Sequence, residues 1–291
     1  MQLESPLILA SGILDENGYT MRRILEEGAA AVVTKSIGST ERPGFTPPVV
    51  VDLGENLLNA IGLSNPGIDH FAGEISIAKG IGKPVIGSIF GATAEEFSFL
   101  ASKMESYGAD AIELNLSCPH VKGFGSEVGS DPVLVEEIVT EVKAKVSIPV
   151  FAKLTPNVTD IVKIAKAAEK ADALVLINTV RAIHIDIYAR RPTLSNAYGG
   201  LSGPAIKPIG VRAVYDIYSE TSKEIIGCGG ISNFEDVIEY IMAGARAVEI
   251  GTALRTAGRA IFDIIKKDII SYLEAEGIGS IQEIIGAGVK R

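Results

Sequence analysis

Residues 113–119, Glu-Leu-Asn-Leu-Ser-Cys-Pro, set an amide, a hydroxyl and a thiol within four positions of one another. The apolar, β-prone run that precedes them reads as a buried strand ending in a loop, with Cys118 as its first reactive group. Asn115 stands three residues before that thiol, and Pro119 stiffens the backbone just after it. A thiol at the C-terminal mouth of a parallel strand, with an amide beside it, suits acid–base work, because a thiolate is a competent base once its pKa of about 8.5 is matched or lowered. A free cysteine is also often simply buried, so the thiol alone leaves both readings open.

Further polar groups fall at strand ends. If Asn115 points into a barrel, Glu113 and Ala111 point the same way, while Ile112, Leu114 and Leu116 face outward helices. By the same alternation Lys35 shares a face with Val33, and Lys153 with Phe151. Asn178 and Thr179 close a sixth apolar run. Interior lysines are rare unless paired. Two converging on one mouth point to a bound anion or a delocalised negative charge; salt bridges to Glu113 or Glu249 are the alternative. Gly227-Cys228-Gly229-Gly230-Ile231 and Gly251-Thr252 end two more strands. Barrels build phosphate sites from such loops, since glycine lets backbone N–H groups approach the anion. Cys228 reads as a structural residue. His70, His120 and His184 follow no metal-ligand spacing, and neither a Ser-His-Asp set nor an HExxH motif is present.

These groups need a scaffold. Apolar β-rich runs near 7–11, 31–35, 84–90, 110–116, 149–154, 173–178, 224–228 and 246–251 alternate with helical periodicity. Thr93 with Glu96 forms a capping-box pattern, Asp131 followed by Pro132 an N-cap with proline at the first helical position, and Asn233 opens another helix. Eight β-then-α units predict an α/β fold of the (β/α)8 TIM-barrel type, with a doubly wound open sheet as the alternative. Long loops follow strands 2, 4 and 6 on the C-terminal face. The excursion 36–65 carries Pro43, Pro47, Pro48 and a strand-like Val49-Val50-Val51, and 179–203 reads as a lid-like loop with little apolar periodicity. All of 1–291 is expected to form a single domain.

Net charge is −9, from 27 basic and 36 acidic residues, with no basic block, so neither a nucleic-acid nor an anionic-membrane surface is expected. Two cysteines cannot ligate an iron–sulfur cluster, which takes about four thiolates. No signal-peptide pattern opens the chain, and its apolar runs fall short of the roughly 18 residues that span a bilayer, so a soluble cytoplasmic protein is expected.

Asn59-Ala60-Ile61-Gly62-Leu63-Ser64-Asn65-Pro66-Gly67, Asn115-Leu116-Ser117-Cys118-Pro119, Ile177-Asn178-Thr179 and Gly199-Gly200-Leu201-Ser202-Gly203-Pro204-Ala205-Ile206-Lys207-Pro208 together resemble dihydroorotate dehydrogenases. The likeness runs from Ala10-Ser11-Gly12 to Gly251-Thr252, and the cysteine with the Asn-Ala-Ile-Gly-Leu loop looks like the NAD-linked class 1B branch. That resemblance implies oxidation of (S)-dihydroorotate to orotate in pyrimidine biosynthesis, with FMN as cofactor and Cys118 as general base. It implies an FMN site at Ser11, Lys35, Ser36, Asn115, Lys153, Ile177 and Gly203, with the phosphate on Gly229, Gly230, Gly251 and Thr252. It implies a substrate site at Lys35, Asn59, Ala60, Ile61, Gly62, Leu63, Asn115, Asn178 and Thr179, and no metal. The resemblance also implies a homodimer at the core of a heterotetramer, with a partner subunit carrying FAD and a [2Fe-2S] cluster that passes electrons to NAD. No GxGxxG follows an expected strand, so NAD is not expected to bind this chain directly. His120 stands where that branch usually has asparagine, and Cys-Pro-His is also similar to dihydropyrimidine dehydrogenase, which makes a uracil- or thymine-reducing subunit the alternative.

Overall fold

Parallel pairing closes on itself. In the computed structural model, which describes residues 1–116 and 128–290, eight strands form a closed barrel in sequential order. In chain order they are Leu7–Leu9, Ala31–Val33, Val85–Ile89, Ala111–Asn115, Val150–Leu154, Ala173–Leu176, Glu224–Cys228 and Ala247–Ile250, called barrel strands one to eight below. Each expected run contains one of them, trimmed by a residue or more at most ends. The chain is therefore a (β/α)8 barrel, and the open-sheet alternative is excluded by the pairing of strand one with both strand two and strand eight.

Strand alternation sorts the apolar residues into two cores. Ile8, Val33, Ile86, Ala111, Phe151, Val175, Ile226 and Ala247 pack inside the barrel. Ile112, Leu114, Leu116 and their counterparts pack outward against the helices, where Phe97, Phe262 and Tyr240 are also fully buried. Each such large side chain stabilises the shell by about 1.5–3 kcal/mol relative to exposure. The expected facing of the fourth strand is thus the observed one.

Helix starts follow the side-chain chemistry. Asp131 accepts from Val133 N and Leu134 N ahead of helix Pro132–Lys145, and Asn233 with Asp236 completes a capping box before Phe234–Ala243. At Thr93 only half of the expected box forms. Thr93 Oγ1 accepts from Glu96 N (3.2 Å), but the Glu96 carboxylate turns to Ala92 N (2.9 Å) and Ser39 Oγ (2.7 Å). It thereby ties the loop after strand two to helix Ala94–Ser106.

The two long excursions meet in one accessory sheet of order Val50–Leu53, Asn56–Asn59, Tyr198–Ser202, Val180–Ile183. The segment 179–203 is therefore largely strand, not the aperiodic loop expected from its composition. Its strands are half exposed, so no apolar alternation marks them, and their register is set across the sheet by pairs such as Gly200 with Asn59. This sheet roofs the C-terminal mouth of the barrel. Among the described residues no helix is long and apolar enough to cross a membrane.

Candidate active site

A cavity of about 460 Å³ opens between the barrel mouth and the accessory sheet. Its floor is charged. On strand five Lys153, 5% exposed, donates to Glu249 Oε2 of strand eight (2.6 Å) and lies 3.5 Å from Glu113 Oε1 of strand four. Burial works against the ammonium, but the attraction of Glu113 and Glu249 outweighs it and holds Lys153 well above the ordinary lysine range. Burial, followed by repulsion from Glu249, pushes the Glu113 carboxyl well above the usual carboxylate range. The ion-pair alternative for this lysine is the observed arrangement, although Lys153 also faces the cavity.

The middle of the cavity is a relay of neutral polar groups. Asn115 Nδ2 donates to Ser36 Oγ (2.9 Å), and Asn178 Nδ2 reaches Asn115 Oδ1 (3.4 Å). Ser36 Oγ bonds with Ser88 Oγ (2.9 Å) and lies 3.4 Å from Ser11 Oγ, while Ser88 Oγ donates to Glu113 Oε1 (3.3 Å). The chain thus runs unbroken from the rim amides to the charged floor. Such bonds orient side chains whose own rotamers would otherwise be free. Lys35, just past strand two, also lines the cavity; its backbone N–H donates to Asp15 O (3.2 Å), and its ammonium makes no hydrogen bond or ion pair among the described residues. The buried carboxyl of Asp15 feels its charge; burial, opposed by the Gly12 N–H and then by Lys35, raises that carboxyl to about 6.

At the opposite end the backbone does the work. Gly229 and Gly230 adopt φ of +116° and +76°, values that side-chain-bearing residues rarely take. Among the described residues, the N–H groups of Gly229, Gly230, Gly251 and Thr252 have no protein acceptor. Tyr240 holds this loop from behind, donating to Gly229 O (2.7 Å). Its ring lies so close that a Cβ on Gly227 would sit 2.3 Å from Tyr240 Cδ1. Thr252 Oγ1 donates to Ser202 Oγ (2.8 Å), joining strand eight to the accessory sheet.

The roof is fixed by buried polar groups as well. Asn65, 4% exposed, accepts from Gly38 N and Gly67 N and donates to Leu63 O, which shapes the loop through Ile61, Gly62 and Leu63. Asn59 Nδ2 donates to Gly200 O (3.3 Å). Arg255 bonds Asp52 and Gly54 O and so clamps the Val50–Leu53 hairpin to the loop after strand eight.

Of the residues expected at the site, Ser11, Lys35, Ser36, Asn59, Ile61, Gly62, Leu63, Asn115, Lys153, Ile177, Asn178, Thr179, Gly203, Gly229, Gly230, Gly251 and Thr252 all line this one cavity. Ala60 does not. It is buried with Val51, Leu58 and Leu194 in the core of the accessory sheet, because strand alternation turns it away from Asn59. Cys118 and His120 lie outside the described residues. Cys228, expected to be structural, instead lines the cavity with Glu249 beside it, and burial pushes its thiol up to about 12. Its parity with Ile226 on strand seven was the signal that could have found it. Glu113 and Ser202 line the cavity too, the first by parity with Asn115, the second by a pairing that no local pattern reveals. No group of three or more His, Cys, Asp or Glu side chains placed so that it could hold a metal ion occurs among the described residues.

A family model described as dihydroorotate dehydrogenase matches residues 1–273. The chain belongs to that family. Within it, a dihydroorotate dehydrogenase B (NAD(+)) catalytic subunit from Thermoplasma acidophilum is 64% identical, covering 100% of this chain and 97% of its own. The protein of the same description from Pyrococcus furiosus is 53% identical over 99% of this chain and 96% of its own. A solved dihydroorotate dehydrogenase structure from Eimeria tenella matches with a TM-score of 0.84 over 99% of this chain and 86% of that one, at 21% identity, a likeness of fold.

Proposed function

We propose that this chain is the catalytic subunit of a dihydroorotate dehydrogenase of the NAD-linked type, oxidising (S)-dihydroorotate to orotate in pyrimidine biosynthesis with FMN as cofactor. The observation that carries the reading is the convergence, in one cavity, of backbone N–H groups unpaired among the described residues at one end and Lys35 with two coupled asparagines at the other. The family match and the full-length relatives described as dihydroorotate dehydrogenase B support it. The dihydropyrimidine dehydrogenase-like alternative, suggested by His120, has no such support.

The residues present fit FMN. The cavity lies within the roughly 300–1,000 Å³ of small-molecule sites. The N–H groups of Gly229, Gly230, Gly251 and Thr252 offer an anion cradle for the phosphate, in which their lack of protein acceptors would be made good. Ser11, Lys35, Ser36, Asn115, Lys153, Ile177 and Gly203 would hold the rest. When bound, the flavin supplies the acceptor for the hydride that leaves C6 of the substrate.

This chain's own part is orientation and proton transfer. Lys35 offers an unpaired cation to the substrate carboxylate, a charge-assisted contact stronger than a neutral one. Asn115 and Asn178, held by Ser36 and by each other, present amide groups that both donate and accept, as a ring with alternating C=O and N–H requires. Asn59, Thr179 and the Ile61–Leu63 loop complete the substrate side, with Ala60 packing behind them. Cys118 removes the proton from C5. The accessory sheet covers the mouth and limits water.

Electrons would leave through a partner subunit carrying FAD and a [2Fe-2S] cluster, joined to a dimer of this chain in a heterotetramer. The description of the relatives as catalytic subunits and the presence of only two cysteines here support that assembly. A single fold over 1–291 and a cytoplasmic site of action complete the proposal. The test is turnover by the purified chain with an artificial electron acceptor. Dihydroorotate should be oxidised and dihydrouracil should not, and the protein should carry the yellow absorbance of oxidised flavin. A colourless protein, or preference for dihydrouracil, would overturn the reading.

A further inference from the structure

The cavity floor carries more acid than base. One layer below the mouth, strands three, four, five, seven and eight present Ser88, Glu113, Lys153, Cys228 and Glu249. Strands one, two and six face the interior with Ile8, Val33 and Val175. The titratable groups that face Glu113 are therefore Lys153, Glu249 and Cys228, with Ser88 as a neutral donor. Glu113 and Glu249 are 0% and 1% exposed. With both carboxyls ionised, the set would hold one uncompensated negative charge out of reach of water, an arrangement that desolvation strongly penalises.

Two loose ends meet at the same place. Glu113 Oε2 and Glu249 Oε1 are both buried without a hydrogen-bond partner among the described residues. Yet the two carboxyls flank a single ammonium, Lys153 Nζ lying 2.6 Å from Glu249 Oε2 and 3.5 Å from Glu113 Oε1. One ammonium offsets only one of two ionised carboxylates, and neither carboxylate has a donor of its own; one added proton balances the charge and supplies a donor for an O–H···O⁻ bond.

We propose that Glu113 and Glu249 share one proton, so that together with Lys153 they form an electrically neutral set, and that this acid–carboxylate pair positions the Lys153 ammonium at the cavity floor. Ser88, which donates to Glu113, links the pair to the Ser36–Asn115 relay above it. The functional consequence rests on the flavin reading above. A neutral floor adds no repulsion where a reduced flavin gathers negative charge, whereas a floor with both acids ionised would oppose reduction. The shared proton itself belongs to the protein with or without flavin.

Infrared spectroscopy of the protein labelled with ¹³C at its glutamate carboxyls tests this without any variant. At about pH 8, where an Asp15 carboxyl held near 6 is ionised, a protonated-carboxyl C=O band should be present, should move on glutamate labelling, and should persist after flavin removal. Glu113→Gln should abolish it. Glu249→Gln should abolish it too, because Glu113 then becomes the sole counter-ion of Lys153 and ionises. Absence of the band from the native protein, or its survival in both variants, overturns the proposal. The flavin midpoint potential, followed against pH, is the second readout. It should fall more steeply where the native band disappears, and Glu113→Gln should remove that bend. A protein that shows the band but binds no flavin supports the shared proton and overturns only the flavin reading.

Discussion

Lys153 and Lys35 serve one cavity in opposite ways. Lys153 lies on the floor, buried, with two carboxyls around it; Lys35 stands at the rim, half-buried, its ammonium in no hydrogen bond or ion pair among the described residues. The same residue type thus does structural electrostatics in one place and, under the proposed function, waits for a ligand in the other. Burial makes the difference. In a low dielectric an ammonium persists only with its counter-ions in place, so Lys153 is spoken for, whereas water can solvate Lys35 until an anion displaces it.

Substitution should separate the two sharply. Lys153→Met removes the ammonium from between two buried carboxyls, and the expected loss is about 3–5 kcal/mol in chemical denaturation. A loss below roughly 1 kcal/mol, the level of a surface ion pair, would erase the contrast.

Asp15 sharpens the rim side. Its carboxyl is raised from 3.8 to about 6 by burial, so the folded state binds the proton more tightly than the unfolded one. Stability therefore falls as pH rises from about 4 through about 6 and stays level above, by roughly 3 kcal/mol in all. Asp15→Asn should flatten that fall, and melting curves at pH 4.5 and pH 7.5 should show the variant gaining on the native protein only at the higher value.

Lys35→Ala should leave stability within about 0.5 kcal/mol. Under the proposed function it should also remove a charge-assisted contact of about 1.5–3 kcal/mol, lowering kcat/KM for dihydroorotate roughly 10- to 150-fold. Equal losses of stability from both lysine variants would mean that the rim lysine has an unrecognised structural partner. The smallest effect is expected from Ser88→Ala, which cuts the link between floor and rim. Two hydrogen bonds of the Ser88 hydroxyl, to Ser36 and to Glu113, together about 1–2 kcal/mol, should be lost in denaturation, and Asn115 should keep its bond to Ser36.

How legible these features were depends on the range of the interactions that make them. The barrel announced itself because each strand is a short apolar run whose two faces are both buried, so the pattern survives in a single segment. The facing of Ala111, Glu113 and Asn115 followed from a period of two, with no knowledge of partners. The same period of two, applied to Ile226, turns Cys228 into the cavity. The strands at 180–183 and 198–202 stayed hidden because they are held by pairing with Asn56–Asn59, more than a hundred residues away in sequence. Ala60 was drawn into the site by its neighbours in a motif, although alternation places it in the accessory core.

By itself, then, the sequence determined the repeat of strand and helix, the inward parity of the polar strand ends and the glycines where the chain must pass close to a ligand, since all of these depend on neighbours a few positions apart. Only the tertiary structure decided which lysine is neutralised, which backbone N–H groups are left without acceptors among the described residues, and that carboxyls from strands four and eight flank one ammonium. Those outcomes depend on distances across a closed barrel between residues as far apart as 113 and 249, and electrostatic energy in a buried site changes steeply with such distances.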